Sequence, residues 1–270
     1  MDNRKIGVFD SGLGGLTAVK ELMKVLPEES IVYFGDTGRV PYGTKSNETI
    51  IKYTASDINF LMTFDLKLII VACGTASAIA LPVLRDRYEI PVIGVAEATA
   101  RAAVAATENN RIGIIGTQGT IQSDAYNQLI RSQSEQIETI SKACPLFVPL
   151  VENGYTHNKV ARLVAKEYLA PVRAAGVDTL IMGCTHYPLL ADTIGSVMGS
   201  GVTLIDPGKE TAHFVRDYLT GQDMLAQSGE DEQYQFFASD SVESFTQLGS
   251  AFLEQTIEGK VERVDIENYT

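Results

Sequence analysis

The sequence predicts an α/β fold of two related halves with mostly parallel sheets, each half contributing one cysteine at a strand end. Three observations carry that expectation. Apolar runs alternate with helix-length amphipathic segments along the chain, the pattern of βαβ units joined by right-handed crossovers. Two of the runs, Leu68-Ile69-Ile70-Val71-Ala72-Cys73 and Leu180-Ile181-Met182-Gly183-Cys184, end in small and polar residues, as buried parallel strands do where they enter a loop. Finally, Ile6-Gly7-Val8-Phe9-Asp10-Ser11-Gly12 returns in the second half as Ile112-Gly113-Ile114-Ile115-Gly116-Thr117-Gln118, so related elements follow in the same order.

The first strand is expected at Lys5–Asp10, with a glycine turn leading into a helix over Gly15–Val25. A strand at Ser30–Gly35 and the turn Val40-Pro41-Tyr42-Gly43 precede a helix over Ser46–Phe64. Strand Leu68–Cys73, helix Ala76–Tyr88, strand Pro91–Val95 and helix Ala96–Thr107 follow, with the seam between halves near Val95–Ala100. The second half reads as strand Arg111–Gly116, helix Thr120–Ser132, strand Glu138–Val148, helix Lys159–Ala175, and strands Thr179–Cys184 and Thr203–Asp206. A helix over Lys209–Leu219 and a strand at Tyr234–Ala238 return to the first half. The expected domains are therefore residues 1–96 plus 210–270, carrying Cys73, and residues 97–209, carrying Cys184.

Composition narrows the function. The chain has 270 residues, 45% of them hydrophobic, enough for a sizeable core. A net charge of −12 argues against a general nucleic-acid surface or an anionic-membrane surface. It leaves room for an anionic small molecule, which backbone N–H groups can bind on an acidic protein. No apolar stretch approaches membrane-spanning length, and Met1-Asp2-Asn3-Arg4-Lys5 runs at once into a strand, leaving no room for a signal peptide. Three cysteines do not make a disulfide framework in a chain this long. A cytoplasmic protein is expected.

Cys73 and Cys184 stand at equivalent strand ends, where open α/β sheets bind ligands. A single such cysteine is more often a packed small hydrophobe. Two in matching positions, with Thr75 and Thr185 close behind, point to chemistry, because two thiols can address both faces of one carbon. Cys144, in Ser141-Lys142-Ala143-Cys144-Pro145, lacks that context and reads as packing at a strand edge. Asp10 and Ser11 end the first strand, where Ser11 can cap a helix and Asp10 can orient an amine or move a proton. His186 is near enough to Cys184 to tune its proton, whereas His157 and His213 are not so placed. Gly12-Leu13-Gly14-Gly15-Leu16-Thr17, with Asp36 ending the next strand, mimics a dinucleotide fingerprint. Thr17 occupies the third glycine position, so a tight turn for strand–helix packing is the better reading. Physics alone would not single out Pro41-Tyr42-Gly43 or Glu152. No ligand cluster at metal spacing is present, and no metal is expected.

The motifs Phe9-Asp10-Ser11-Gly12-Leu13-Gly14-Gly15-Leu16, Asp36-Thr37-Gly38-Arg39-Val40-Pro41-Tyr42-Gly43, Ala72-Cys73 with Thr75-Ala76-Ser77, and Gly183-Cys184-Thr185-His186-Tyr187-Pro188 occur together and in order. In these the chain resembles the cofactor-independent glutamate racemases of the aspartate/glutamate racemase family, over nearly its whole length. The resemblance implies two pseudo-symmetric α/β domains with mostly parallel sheets and the active site in the cleft between them, and interconversion of L- and D-glutamate, without cofactor, to supply peptidoglycan, by a protein that is often a homodimer. It makes Cys73 and Cys184 the acid/base pair, Cys73 acting on the D- and Cys184 on the L-enantiomer. Asp10, Glu152 and His186 would assist the thiols. Asp10, Ser11, Tyr42, Gly43, Gly74, Thr75 and Thr185 would bind substrate, with Thr117 and Thr120 nearby. The family commonly has Asn between the first Cys and the Thr, and here that residue is Gly74. Alternative readings are an aspartate or hydantoin racemase with the same two-thiol logic, a small-molecule-binding α/β module without catalysis, and an NAD-linked oxidoreductase.

Overall fold

Among the described residues of the computed structural model every strand pairing is parallel, and the strands fall into two sheets. Residues 1–227, 233–257 and 259–270 are described. The chain runs β1 (Lys5–Asp10), α1 (Leu16–Val25), β2 (Ile31–Gly35), α2 (Asn47–Leu61), β3 (Leu66–Val71), α3 (Gly74–Ile79), α4 (Leu81–Leu84), β4 (Val92–Gly94) and α5 (Val95–Ala106). It continues with β5 (Arg111–Gly116), α6 (Gln118–Gln122), α7 (Ala125–Gln133), β6 (Glu138–Ala143), α8 (Phe147–Glu152), α9 (Lys159–Ala174), β7 (Thr179–Gly183), α10 (Ala191–Met198) and β8 (Thr203–Ile205). The last elements are α11 (Pro207–Gly221), β9 (Tyr234–Ala238), α12 (Val242–Leu253) and β10 (Val261–Arg263).

One sheet has the order β10-β9-β2-β1-β3-β4 and the other β6-β5-β7-β8. Within them β2-β1-β3-β4 and β6-β5-β7-β8 have the same connectivity, so β1 corresponds to β5 and β3 to β7. That is the repeat seen between Ile6–Gly12 and Ile112–Gln118. The inner strands β2, β3 and β7 are buried from end to end, because helices cover both faces. Strand order changes direction between β1 and β3 and between β5 and β7, so the carboxyl ends of these strands flank the switch point of each sheet. β9 joins β2 in register from Ile31↔Tyr234 to Gly35↔Ala238, so the tail returns to the first sheet. Helix α11 packs against both α1 and α5.

Several expected elements are shorter or divided. The strand expected over Glu138–Val148 ends at Ala143, because Pro145 cannot donate to a ladder, and Phe147 begins α8. The helix expected over Ala76–Tyr88 divides into α3, α4 and a 3-10 turn at Arg85–Arg87, with Pro82 in the first turn of α4. The helix expected over Thr120–Ser132 breaks at Asp124, whose φ of 58° is left-handed.

The sheet edge opposite the cysteines is tied by a buried ion pair. Lys67 Nζ lies 2.5 Å from Glu29 Oε2 and donates to the carbonyls of Asp2 at 2.7 Å and Met224 at 2.9 Å. Glu29 Oε1 accepts the Ala226 N–H at 2.9 Å. Lys67→Met would leave Glu29 buried without its counter-charge, and unfolding in denaturant should show a loss of about 3–5 kcal/mol. An unchanged midpoint would remove this clamp from the account of stability.

Candidate active site

A cavity of about 370 Å³ lies where the carboxyl ends of the two sheets meet. Ser11, Tyr42, Gly43, Cys73, Gly74 and Thr75 line it from the first sheet's loops, and Thr117, Glu152, Cys184, Thr185 and His186 from the second's. Val40, Pro41, Val148 and Pro149 form apolar wall. Among the described residues, no Lys or Arg lines it. Carboxylates entering the cavity would meet backbone amides, hydroxyls and the His186 ring.

The two thiols have different surroundings. Cys73 occupies the N-cap position of α3 in an extended conformation, and its Sγ donates to Ser11 Oγ at 3.3 Å. Burial pushes its thiol up to about 12, and the Asp10 carboxylate adds to the shift against the pull of Ser11 and the Ala76 amide. Cys73 therefore holds its proton at neutral pH. Cys184 follows β7 directly, with Sγ 4.0 Å from His186 Nδ1, and His186 Nε2 is 3.1 Å from Glu152 Oε1. Burial opposes charge on His186, but the hydrogen bonds to Cys184 and Glu152 and the nearby Asp10 outweigh it and carry the ring up to about 10. The imidazolium then donates from both nitrogens, one toward the thiol and one toward the carboxylate. Cys144 is fully buried, is absent from the cavity wall, and is pushed up to about 12 by burial, as a packing thiol would be.

Asp10 is buried and does not itself line the cavity. Its carboxylate accepts the Gly12 N–H at 3.0 Å and Thr185 Oγ1 at 3.3 Å, which ties the loop after β1 to the loop after β7. Burial raises its pKa, against the pull of His186, the Gly15 and Gly12 amides and Thr185. The glycine turn serves the same junction. A Cβ on Gly14 would stand 2.1 Å from Thr185 Oγ1 and 2.5 Å from His186 Nδ1, so only glycine lets these groups approach. Thr17, in place of a third fingerprint glycine, lies with its hydroxyl 3.0 Å from the Thr185 carbonyl oxygen.

Thr75, Thr117 and Thr120 form a triangle of hydroxyls with separations of 2.9, 3.0 and 3.2 Å, a second tie between the halves. Thr120 is buried behind it. Tyr42 lines the cavity, but its hydroxyl is taken up by Asp36 and Asp57. A Cβ on Gly74 would meet the Gly183 carbonyl oxygen at 2.6 Å, so the loops after β3 and β7 touch backbone to backbone there. His157 and His213 lie outside the cavity wall.

The sequence reading missed the support of Tyr42. Asp36, Arg39 and Asp57 form a buried charged cluster behind the Pro41-Tyr42-Gly43 turn. A signal was present: Ile50, Thr54, Asp57, Ile58 and Leu61 fall at helical spacing on the buried face of α2, with a carboxylate among them. Among the described residues, no three His, Cys, Asp or Glu side chains are grouped to hold a metal ion. No helix of the described residues is long and apolar enough to cross a membrane.

A family model described as Asp/Glu/hydantoin racemase matches residues 17–215. The glutamate racemase of Geobacter metallireducens is 49% identical over 264 residues, which cover 98% of this chain and 97% of that protein. Among solved structures, a glutamate racemase isoform from Bacillus anthracis superposes with a TM-score of 0.93 at 39% identity, covering 98% of both chains. Glutamate racemase from Francisella tularensis, in complex with D-glutamate, superposes with a TM-score of 0.92 at 40% identity, covering all of both chains.

Proposed function

The chain belongs to the glutamate racemases of the Asp/Glu/hydantoin racemase family, isomerases, and from that premise we propose that it interconverts L- and D-glutamate by two-base proton transfer between Cys73 and Cys184. One observation carries the mechanism: each half of the fold delivers one cysteine, from corresponding strand ends, to the wall of a single cavity. The residues 1–96 plus 210–270 and 97–209 act as the two domains that hold those thiols.

Glutamate enters with its carboxylates on loop amides and hydroxyls, since the wall offers no Lys or Arg. The Cys184 thiolate removes the α-proton of the L-enantiomer. The Cys73 thiol, which keeps its proton at neutral pH, delivers that proton to the opposite face and becomes the thiolate. The product is D-glutamate, with the two sulfurs exchanged in protonation state. The reverse reaction, or proton exchange with solvent, restores them. Asp10 and His186 set the polarity of the cycle: a negative charge near Cys73 favours its thiol, and a cation stands beside Cys184. Hydrogen-bond donors preorganised in a small cleft stabilise the developing carbanion. The product supplies peptidoglycan synthesis in the cytoplasm, and the working form is a homodimer.

The direct test incubates the protein with L-glutamate in D2O without added cofactor. Deuterium at the α-carbon together with D-glutamate is expected. Neither appearing in folded protein would defeat the proposal, and aspartate in the same assay would expose the sister activity.

The His186 charge gives a pH prediction. Its folded pKa is raised above the usual value, so the imidazolium persists through neutral pH and is lost as pH rises through about 10. Turnover of L-glutamate should fall over that same range. Glu152→Gln removes one of the groups holding the proton, so the basic limb should move to lower pH. Coincident basic limbs for parent and variant would show that this pair does not set the profile.

A further inference from the structure

The cluster behind the Pro41-Tyr42-Gly43 turn contains two buried carboxylates, Asp36 and Asp57, and one buried cation, Arg39. The hydrogen atoms at their contacts can be counted. Asp36 Oδ2 accepts Arg39 Nε–H at 2.7 Å and the Tyr42 hydroxyl, and Asp36 Oδ1 accepts the Ser239 hydroxyl at 2.9 Å. Ser239 Oγ in turn accepts the Gly38 N–H at 2.8 Å, so its own hydrogen is free for Asp36. Every partner of Asp36 is thus a donor, which suits an ionised carboxylate. Asp57 Oδ1 accepts Arg39 Nη2–H at 2.7 Å, while Asp57 Oδ2 lies 2.8 Å from the Tyr42 hydroxyl oxygen. Tyr42 has one hydroxyl hydrogen for two carboxylates, so its two contacts need a further hydrogen on one of them. Asp36 also accepts from Arg39 Nε–H and from Ser239, whereas Asp57 also accepts from Arg39 alone, and this places the further hydrogen on Asp57.

We propose that Asp57 is a neutral carboxylic acid that donates to Tyr42, and that it is a positioning residue for the substrate loop at Tyr42–Gly43. The assignment also balances charge. One Arg39 guanidinium faces both aspartates, and two ionised carboxylates, each fully buried, would share that single cation. Glu267, largely exposed, lies 3.6 Å from Arg39 Nη1, and Asp240, Asp265 and Arg263 line with it the pocket on the outer side of Arg39. Burial and the adjacent Asp36 charge push the Asp57 carboxyl well above its ordinary value, in the same direction. Asp57 is fully buried and absent from the cavity wall, so any effect on turnover passes through Tyr42, which lines the wall with Gly43. The hydrogen-bond chain Asp57–Tyr42–Asp36–Ser239 connects α2, the turn, the end of β2 and the end of β9. The turn is thereby held at both sides by groups that have no other use in the site.

The two aspartates are then chemically distinct, and their amide variants should differ. Asn at 57 can present its oxygen to Arg39 and its NH2 to Tyr42, reproducing the neutral acid. Asn at 36 removes the one ionised carboxylate that faces Arg39. Asp57→Asn should keep kcat and KM for glutamate within about threefold of the parent, whereas Asp57→Ala and Asp36→Asn should raise KM or lower kcat by at least about tenfold. The link to turnover rests on the racemase reading. The protonation state does not, and it has its own readout: the infrared difference spectrum of parent minus Asp57→Asn at neutral pH should contain a carboxylic-acid carbonyl band. A carboxylate band in its place would overturn the proposal, as would an Asp57→Asn variant as damaged as Asp36→Asn. If the parent fails to racemise glutamate while the acid band is present, the functional reading fails and the assignment of Asp57 stands.

Discussion

Replacing either Cys73 or Cys184 with alanine is expected to lower the interconversion of glutamate enantiomers by at least about 10³-fold, in both directions, since a positioned acid or base contributes about 10²–10⁴-fold. The two halves explain why neither thiol can substitute for the other. Each sulfur is fixed at the end of its own sheet, after β3 or β7, and the strands behind them are fully buried. Cys73 is further held against Ser11, and Cys184 stands by His186. A sulfur so anchored addresses one face of the α-carbon, and inversion needs both faces. The single variants should also separate the half-reactions. Cys73→Ala leaves the Cys184–His186–Glu152 group intact, so L-glutamate should still exchange its α-proton slowly with D2O while no D-glutamate accumulates. Cys184→Ala should show the converse with D-glutamate. Measuring enantiomer conversion by chiral chromatography and exchange by NMR distinguishes these outcomes. Conversion by either variant at more than about one hundredth of the parent rate would sink the two-base mechanism. Both substitutions remove a small buried side chain, and a cost in stability of about 1–2 kcal/mol leaves the fold available for the assay.

Much of this site was legible before any coordinates because strand ends and chemistry coincide. The apolar runs into Cys73 and Cys184 identified two parallel strands, and the rule that ligands bind at their carboxyl ends put the two thiols in one cavity. The repeat of Ile6–Gly12 at Ile112–Gln118 anticipated the matching order of β2-β1-β3-β4 and β6-β5-β7-β8. The less legible parts depend on contacts between segments far apart in sequence. Asp10 looked like a residue exposed to ligand, yet its oxygens are used by Gly12 and Thr185, and only the packing of two loops decides that. Tyr42 was expected among the substrate-binding residues by resemblance alone, and its hydroxyl is taken up by Asp57 on α2 and Asp36 after β2. Glu152 is a half-exposed acid whose meaning comes from His186, which is remote in the chain. The apolar wall at Val148 and Pro149 was hidden because Cys144-Pro145 was read as the continuation of a strand when it turns the chain into α8.

Gly74 gives the second large effect. The resemblance leads one to expect Asn at this position, but a Cβ built on Gly74 would lie 2.6 Å from the Gly183 carbonyl oxygen, 3.4 Å from its carbon and 3.9 Å from Cys184 Cα. The first of these is closer than real Cβ atoms come, and the opposing atoms are backbone, which cannot rotate aside as a long side chain would. Any side chain at 74 must therefore push the loop carrying Cys184 away from the loop carrying Cys73. Both reacting sulfurs are within one or two residues of that contact, so the displacement acts directly on the spacing between base and acid. A misplacement of about 1 Å in a near-attack geometry costs on the order of 10²-fold. Gly74→Ala, which adds only the Cβ, should already lower kcat by about 10- to 100-fold with a smaller change in KM, because the cavity wall at Ser11, Gly43 and Thr75, where we propose that substrate binds, is left in place. Gly74→Asn should be no better than Gly74→Ala, since the amide cannot be gained without the Cβ. The strain should also appear as a stability loss of about 1–3 kcal/mol, the usual cost of overpacking. The comparison between the two variants decides the matter. If Asn restores or exceeds the parent rate while Ala is impaired, the side-chain amide is what this position lacks, and the backbone contact with Gly183 does not set the separation of the thiols. If both fall together in kcat, the chain has exchanged a side-chain contact for close approach of its two halves, and Gly74 is the residue that permits it.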